Sequence, residues 1–182
     1  MRAAQDRLAR TMLSFVSDPG DPVLGALLQC CDPANIAEAL ASGADPRAAL
    51  PAAGREISGL SRAFKRWRPR LDQVPSEARL AAWERGGLRL LCPGEPEWPS
   101  QLDDLGPSRP VVLWLRGGAD LRYACLRSIS VVGSRAATAY GSHVGTELAA
   151  AVAEHGWSVV SGGPNSTKTK VLASQLPAST GS

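Results

Sequence analysis

Three consecutive residues carry the clearest chemistry in the chain: Gly133, Ser134 and Arg135. A glycine admits a ligand close to the backbone, a hydroxyl can donate, and a guanidinium can hold a phosphate through two parallel hydrogen bonds. Thr138 follows where a helix N-cap would sit. A helix N-terminus adds unpaired N–H groups and the positive end of its dipole. Together these residues read as an anion site suited to phosphate. The loop is neither G-x-G-x-x-G nor G-x-x-x-x-G-K-[ST], so the dinucleotide fingerprint and the Walker A loop are both absent. The structural alternative is that Arg135 pairs with a nearby carboxylate and Gly133 only ends a strand, because short Gly-rich matches recur by chance.

The flanking residues supply the elements that would position this loop. Ile129, Ser130, Val131 and Val132 form a short β-prone run ending at Gly133, as a buried parallel strand would. From Tyr140 to His155 the larger apolar residues Val144, Leu148 and Val152 recur at helical spacing, and Gly156 stops the helix. Trp157 to Val160 reads as a second strand, closed by Ser161, Gly162 and Gly163. Strand, loop, helix and strand make a βαβ unit, the start of a Rossmann-like sheet. Parallel strands end on the same side, so both loops should face one crevice.

Upstream, residues 3–17 have helical periodicity, with Leu8, Met12, Phe15 and Val16 on one side. Asp21-Pro22 and Asp32-Pro33 are two helix starts of the same kind. Residues 44–50 and 57–67 read as further short helices, giving a helical module over 1–74 of helix-hairpin-helix or sterile-alpha-motif type. Pro75-Ser76 opens another helix holding Leu80 and Trp83, and the domain boundary is expected here. Leu88–Cys92 and Val111–Leu115 read as strands that extend the Rossmann pattern ahead of the βαβ unit, and Asp120–Leu126 as a helix. The fold class is therefore α/β: a small helical module, then an incomplete Rossmann-like parallel sheet over 75–163. The tail, 164–182, is rich in Ser, Thr, Pro and Lys and is expected to be disordered, leaving the strand at 157–160 or its neighbour with an open edge.

Val131-Val132-Gly133-Ser134-Arg135, then Thr138, Tyr140-Gly141 and, after the helix, Val160-Ser161-Gly162-Gly163 together resemble the DNA-processing protein DprA (Smf) family. Cys92-Pro93-Gly94-Glu95-Pro96-Glu97-Trp98-Pro99-Ser100-Gln101-Leu102 and Val111–Gly117 resemble the same family. The resemblance runs to Gly163 and stops there, as it would after a frameshift or premature stop. It implies a non-catalytic, single-stranded DNA-binding protein of natural transformation that takes up incoming DNA and helps load the RecA recombinase. It further implies DNA phosphates at Gly133, Ser134, Arg135 and Thr138, with Ser161, Gly162 and Gly163 as the other wall. No cofactor and no metal are implied. In the family, the segment that should follow Gly163 would add basic residues and a self-association surface.

Composition sets wider limits. The chain has 182 residues, a net charge of +3, 44% hydrophobic and 20% charged residues, ordinary for a globular domain. That charge permits an anionic polymer as partner without requiring one. Cys30, Cys31, Cys92 and Cys125 show no C-x-x-C pair and no companion histidine at metal spacing. Adjacent Cys30 and Cys31 are expected to be one buried and one half-buried thiol, and free thiols suit a reducing cytoplasm. No signal peptide and no run of membrane-spanning length are visible. Arg62, Lys65, Arg66, Arg68 and Arg70 surround Trp67 in the densest basic run. It reads either as a phosphate contact with an aromatic stacking partner or as a solvated helix face with its Trp packed inward. His143, His155, Glu147 and Glu154 are expected on the surface of the helix at 140–155. Two alternatives to DNA binding stay open: a Rossmann-like enzyme or sensor for a small nucleotide, and a truncated product without function. No carboxylate follows Val160 to hold a ribose, which weighs against the enzyme.

Overall fold

The computed structural model describes residues 2–51, 56–133, 136–162 and 170–172. Two compact units divide the chain between Gly117 and Gly118.

The first unit opens with three helices, α1 (Arg2–Val16), α2 (Pro22–Cys30) and α3 (Pro33–Ala41). The starts of α2 and α3 follow from their sequence. Asp21 accepts hydrogen bonds from the Val23 and Leu24 N–H groups, and Asp32 from that of Ala34, with proline at the first helical position of each. A 3-10 turn (Pro46–Ala49) leads on towards α4 (Leu60–Trp67), a second 3-10 turn (Arg68–Gln73) and α5 (Glu77–Arg85), which Ser76 caps. The helix expected from Ile57 starts at Leu60, because Gly59 sits in the left-handed region at φ 78° and breaks the run. Leu13, Val16, Leu24, Leu27, Ile36, Leu40, Leu60, Phe64 and Trp67 are buried together. Each such side chain contributes about 1.5–3 kcal/mol on burial, which helices of this length need in order to form at all.

The two strands expected to extend the Rossmann sheet form a sheet of their own. β1 (Leu88–Leu91) pairs antiparallel with β2 (Leu113–Arg116) in the register Leu88↔Arg116 to Leu91↔Leu113. Hydrophobic pattern marks strands but does not say which pair. Segment 75–117 packs with the helices instead. Arg7 of α1 donates to the Leu90 carbonyl and pairs with Glu95 at 3.1 Å. Phe15 of α1 lies 5.5 Å from Trp114 and 6.3 Å from Trp83, centroid to centroid. A turn region, Ser100–Ser108, joins the strands and touches α2 so closely that a Cβ built on Gly25 would collide with the Pro107 carbonyl.

The second unit holds α6 (Leu121–Leu126), β3 (Ser128–Ser130), α7 (Ala139–Glu154), β4 (Ser158–Ser161) and β5 (Lys170–Leu172). β3 and β4 are parallel, with Ser128↔Ser158, Ile129↔Val159 and Ser130↔Val160 in register, and α7 connects them. This is the first βαβ unit of the Rossmann pattern, and the fold as a whole is mixed α/β. One expectation needs correction. Part of the tail read as disordered is β5, which pairs antiparallel with β4. β4 is therefore central, and among the described residues the open edges fall on its neighbours β3 and β5. A three-residue strand held by backbone hydrogen bonds leaves no periodic signal in a polar segment. The covered side of α7 is also displaced: Gly145, Ala149, Val152 and Ala153 are half-buried, whereas Val144 and Leu148 are 41% and 53% exposed.

Candidate functional site

The site expected from the sequence lies at the carboxyl ends of β3 and β4. Beyond the paired residues, the Val131 N–H donates to the Val160 carbonyl at 2.8 Å, so the two strands stay in step to their ends. Gly133 follows β3 and Gly162 follows β4; both are exposed, and a Cβ on either would meet nothing within 4 Å. The backbone at both points is thus open to close approach. Ser161 is the last residue of β4 and half-buried. Ser134, Arg135 and Gly163 lie outside the described residues.

Thr138 is the N-cap of α7. Its backbone is extended (φ −69°, ψ 162°) and its hydroxyl accepts from the Gly141 N–H at 3.1 Å. The hydroxyl serves the helix, so its contribution to an anion would be indirect: it fixes the direction in which the first turn points. The N–H groups of Ala139 and Tyr140, which precede the capped position, have no partner among the described residues. They are the donors a helix start offers to an anion. Of the seven expected site residues, Gly133, Ser161 and Gly162 lie at or beyond the carboxyl ends of the parallel pair, and Thr138 caps the helix that connects the two strands.

The basic run proves to be largely structural. Trp67 is fully buried, and its indole N–H donates to Asp21 at 3.3 Å. Arg66 also bonds Asp21, whose side chain is only 3% exposed, and Arg70 pairs with Asp18 at 2.8 Å. Arg68 donates to the Ala44 carbonyl and lies 5.8 Å from the Phe64 ring centre. Arg62 and Lys65 remain exposed with no partner among the described residues. The solvated-face reading holds for those two, while the other three tie α4 and the turn after it to the rest of the module. Asp18 and Asp21 are what the sequence reading missed. The pairing of Arg66 with Asp21 spans 45 positions, so no local signal announces it.

His143 and Glu147 pair at 3.3 Å across one turn of α7 with both side chains about two-thirds exposed, 66% and 68%. The His155 ring lies 2.7 Å from the Ala151 carbonyl, also at the surface. Both histidines are thus on the surface, as expected. Among the described residues no cluster of His, Cys, Asp and Glu could hold a metal, and no helix is long and apolar enough to cross a membrane.

An αβ unit with open glycine loops at the carboxyl ends of two parallel strands defines a Rossmann-like protein. The family model described as DNA recombination-mediator protein A matches residues 89–170. The DNA processing protein DprA of two strains of Mycobacterium tuberculosis is 36% identical to this chain over 162 residues, covering 83% of it and 38% of the relative. Over these residues the chain is similar to the DNA recombination-mediator protein A family. The match to the family continues past Gly163, where the resemblance was expected to stop, and includes Lys170, the first residue of β5. This chain spans 38% of the length of these curated relatives. No solved structure matches it significantly.

Proposed function

We propose that residues 75–163 bind single-stranded DNA through its phosphates, at the crevice formed by the loops after β3 and β4. The observation that carries this reading is the shared end of those strands. Gly133 and Gly162 leave the backbone accessible there, and Thr138 caps the helix that connects the two strands. Arg135 supplies the charge, Ser134 a hydroxyl and Gly163 further room. The role is one of holding rather than catalysis, and it belongs to the cytoplasm, where incoming DNA in natural transformation is handed to the RecA recombinase. The family-model match and the +3 net charge support DNA as the polymer.

Titration of fluorescein-labelled oligothymidines tests this. Affinity should rise from short to long oligomers and fall with salt, log K losing about 0.7 per engaged phosphate for each unit of log salt. A mononucleotide should compete poorly. Saturation by a mononucleotide, with no dependence on oligomer length, would overturn the reading in favour of a small-nucleotide site.

A further inference from the structure

The four cysteines play no part in the DNA reading, yet two of them are placed for chemistry. Cys30 is the last residue of α2 and Cys31 its C-cap, and their sulfurs lie 3.5 Å apart. Both were expected to be sheltered, one fully. Instead Cys30 is exposed and Cys31 half-buried. The backbone between them is fixed. The Cys31 N–H donates to the Leu27 carbonyl at 2.8 Å, and Cys31 packs against the helical core. The Cys30 thiol faces the carbonyls of Ala26 and Leu27, each 3.5 Å from its sulfur. A thiol is a weak donor, so these contacts yield readily.

The sulfur spacing selects among ligands. A disulfide needs about 2.05 Å between sulfurs, well short of the distance here. Two sulfurs on one soft centre, each about 2.3 Å from it with an angle near 100° between the bonds, sit roughly 3.5 Å apart. Zinc wants four protein or water ligands, and among the described residues no third His, Cys, Asp or Glu joins the pair. A soft centre that needs only two sulfurs fits better.

We infer that Cys30 and Cys31 form a two-thiol site for a trivalent arsenical bearing one organic group. In its hydrated form such a compound carries two hydroxyls on arsenic. Two As–O bonds break and two As–S bonds form. Each thiol proton leaves with a hydroxide as water, and arsenic stays trivalent, so no oxidant is needed. The product is a ring closed through arsenic, the two sulfurs, both Cβ and Cα atoms and the peptide C–N bond between the residues, capping the end of α2 on its exposed side.

Phenylarsine oxide is the probe. Native mass spectrometry of the full chain should show one phenylarsenic group bound per molecule in excess monothiol, released by a dithiol. Cys30→Ser and Cys31→Ser should each weaken retention by about a hundredfold, the loss of the second attachment's effective concentration. Footprinting with iodoacetamide needs no variant: the arsenical should shield Cys30 and Cys31 and leave the labelling of Cys92 and Cys125 unchanged. No retained adduct in the parent chain, or shielding of Cys92 or Cys125 in place of the adjacent pair, would overturn the assignment.

Discussion

Asp21 is the residue on which the helical module turns. Its carboxylate accepts from two backbone N–H groups at the start of α2, from Arg66 and from the Trp67 indole. One side chain therefore caps a helix and neutralises a guanidinium beside a buried tryptophan. Asp21→Ala should cost about 3 kcal/mol of stability, more than a cap alone, because it leaves Arg66 and the indole N–H unpaired. Urea unfolding monitored by tryptophan fluorescence reads this directly. A loss of only about 1 kcal/mol would mean that Arg66 is fully solvated and the carboxylate acts as a cap alone. The cap was legible in the sequence from Asp-Pro followed by an apolar run. The ion pair was not, since its partners meet only after α4 has folded against α2. The same distance in sequence hid the fate of Arg66, Arg68 and Arg70, which looked like a free basic face.

At the scale of elements, local signals fared well where they act locally. Proline after aspartate set the starts of α2 and α3, and Gly162 follows β4 as read, whereas β3 ends at Ser130, short of Gly133, and Ile129 and Val132 are exposed where a buried strand was expected. Pairing between strands was the part that stayed hidden. Nothing in Leu88–Leu91 or Leu113–Arg116 states that these strands join each other and not β3, and β5 is too short and polar a stretch to stand out. Contact between elements was equally hidden. Gly25 looked like an ordinary helical glycine, a mild liability in α2. Its absent side chain in fact makes room for the Pro107 carbonyl. Gly25→Ala, which would improve an isolated helix, should therefore destabilise the first unit by about 1–3 kcal/mol through overpacking against backbone. Thermal unfolding followed by circular dichroism distinguishes the outcomes. A variant as stable as the parent, or more so, would show that the turn region moves away from α2 at no cost.

The whole molecule is unequal in its two units. The first holds nearly all the fully buried side chains, whereas among the described residues of the second only Leu121 and Val159 are buried hydrophobics. Ile129, Val132, Tyr140, Val144 and Leu148 of the second unit are all exposed. Stability follows buried apolar area, so the units should open separately. Hydrogen exchange should find the amides of α1 to α4 strongly protected, and those of β3, α7 and β4 exchanging at least about tenfold faster through a lower-energy opening. Equal protection of both units would contradict this and indicate a single cooperative fold.

The proposed phosphate crevice belongs to the unit expected to be less protected, so binding must be read on the folded chain. Arg135 is its test. Two charge-assisted hydrogen bonds to phosphate are each worth about 1.5–3 kcal/mol. Arg135→Ala should therefore weaken the complex with a labelled oligothymidine roughly a hundredfold or more, whatever the base sequence of a competing strand. Arg135→Lys should recover only part of the loss, because an ammonium keeps the charge but not the fork. The salt slope of the alanine variant should fall by about one phosphate's share. Fluorescence titration at several salt concentrations, with circular dichroism to establish folding, measures all three together. Folded variants that bind as the parent does, with an unchanged salt slope, would contradict the assignment of DNA to the loop after β3.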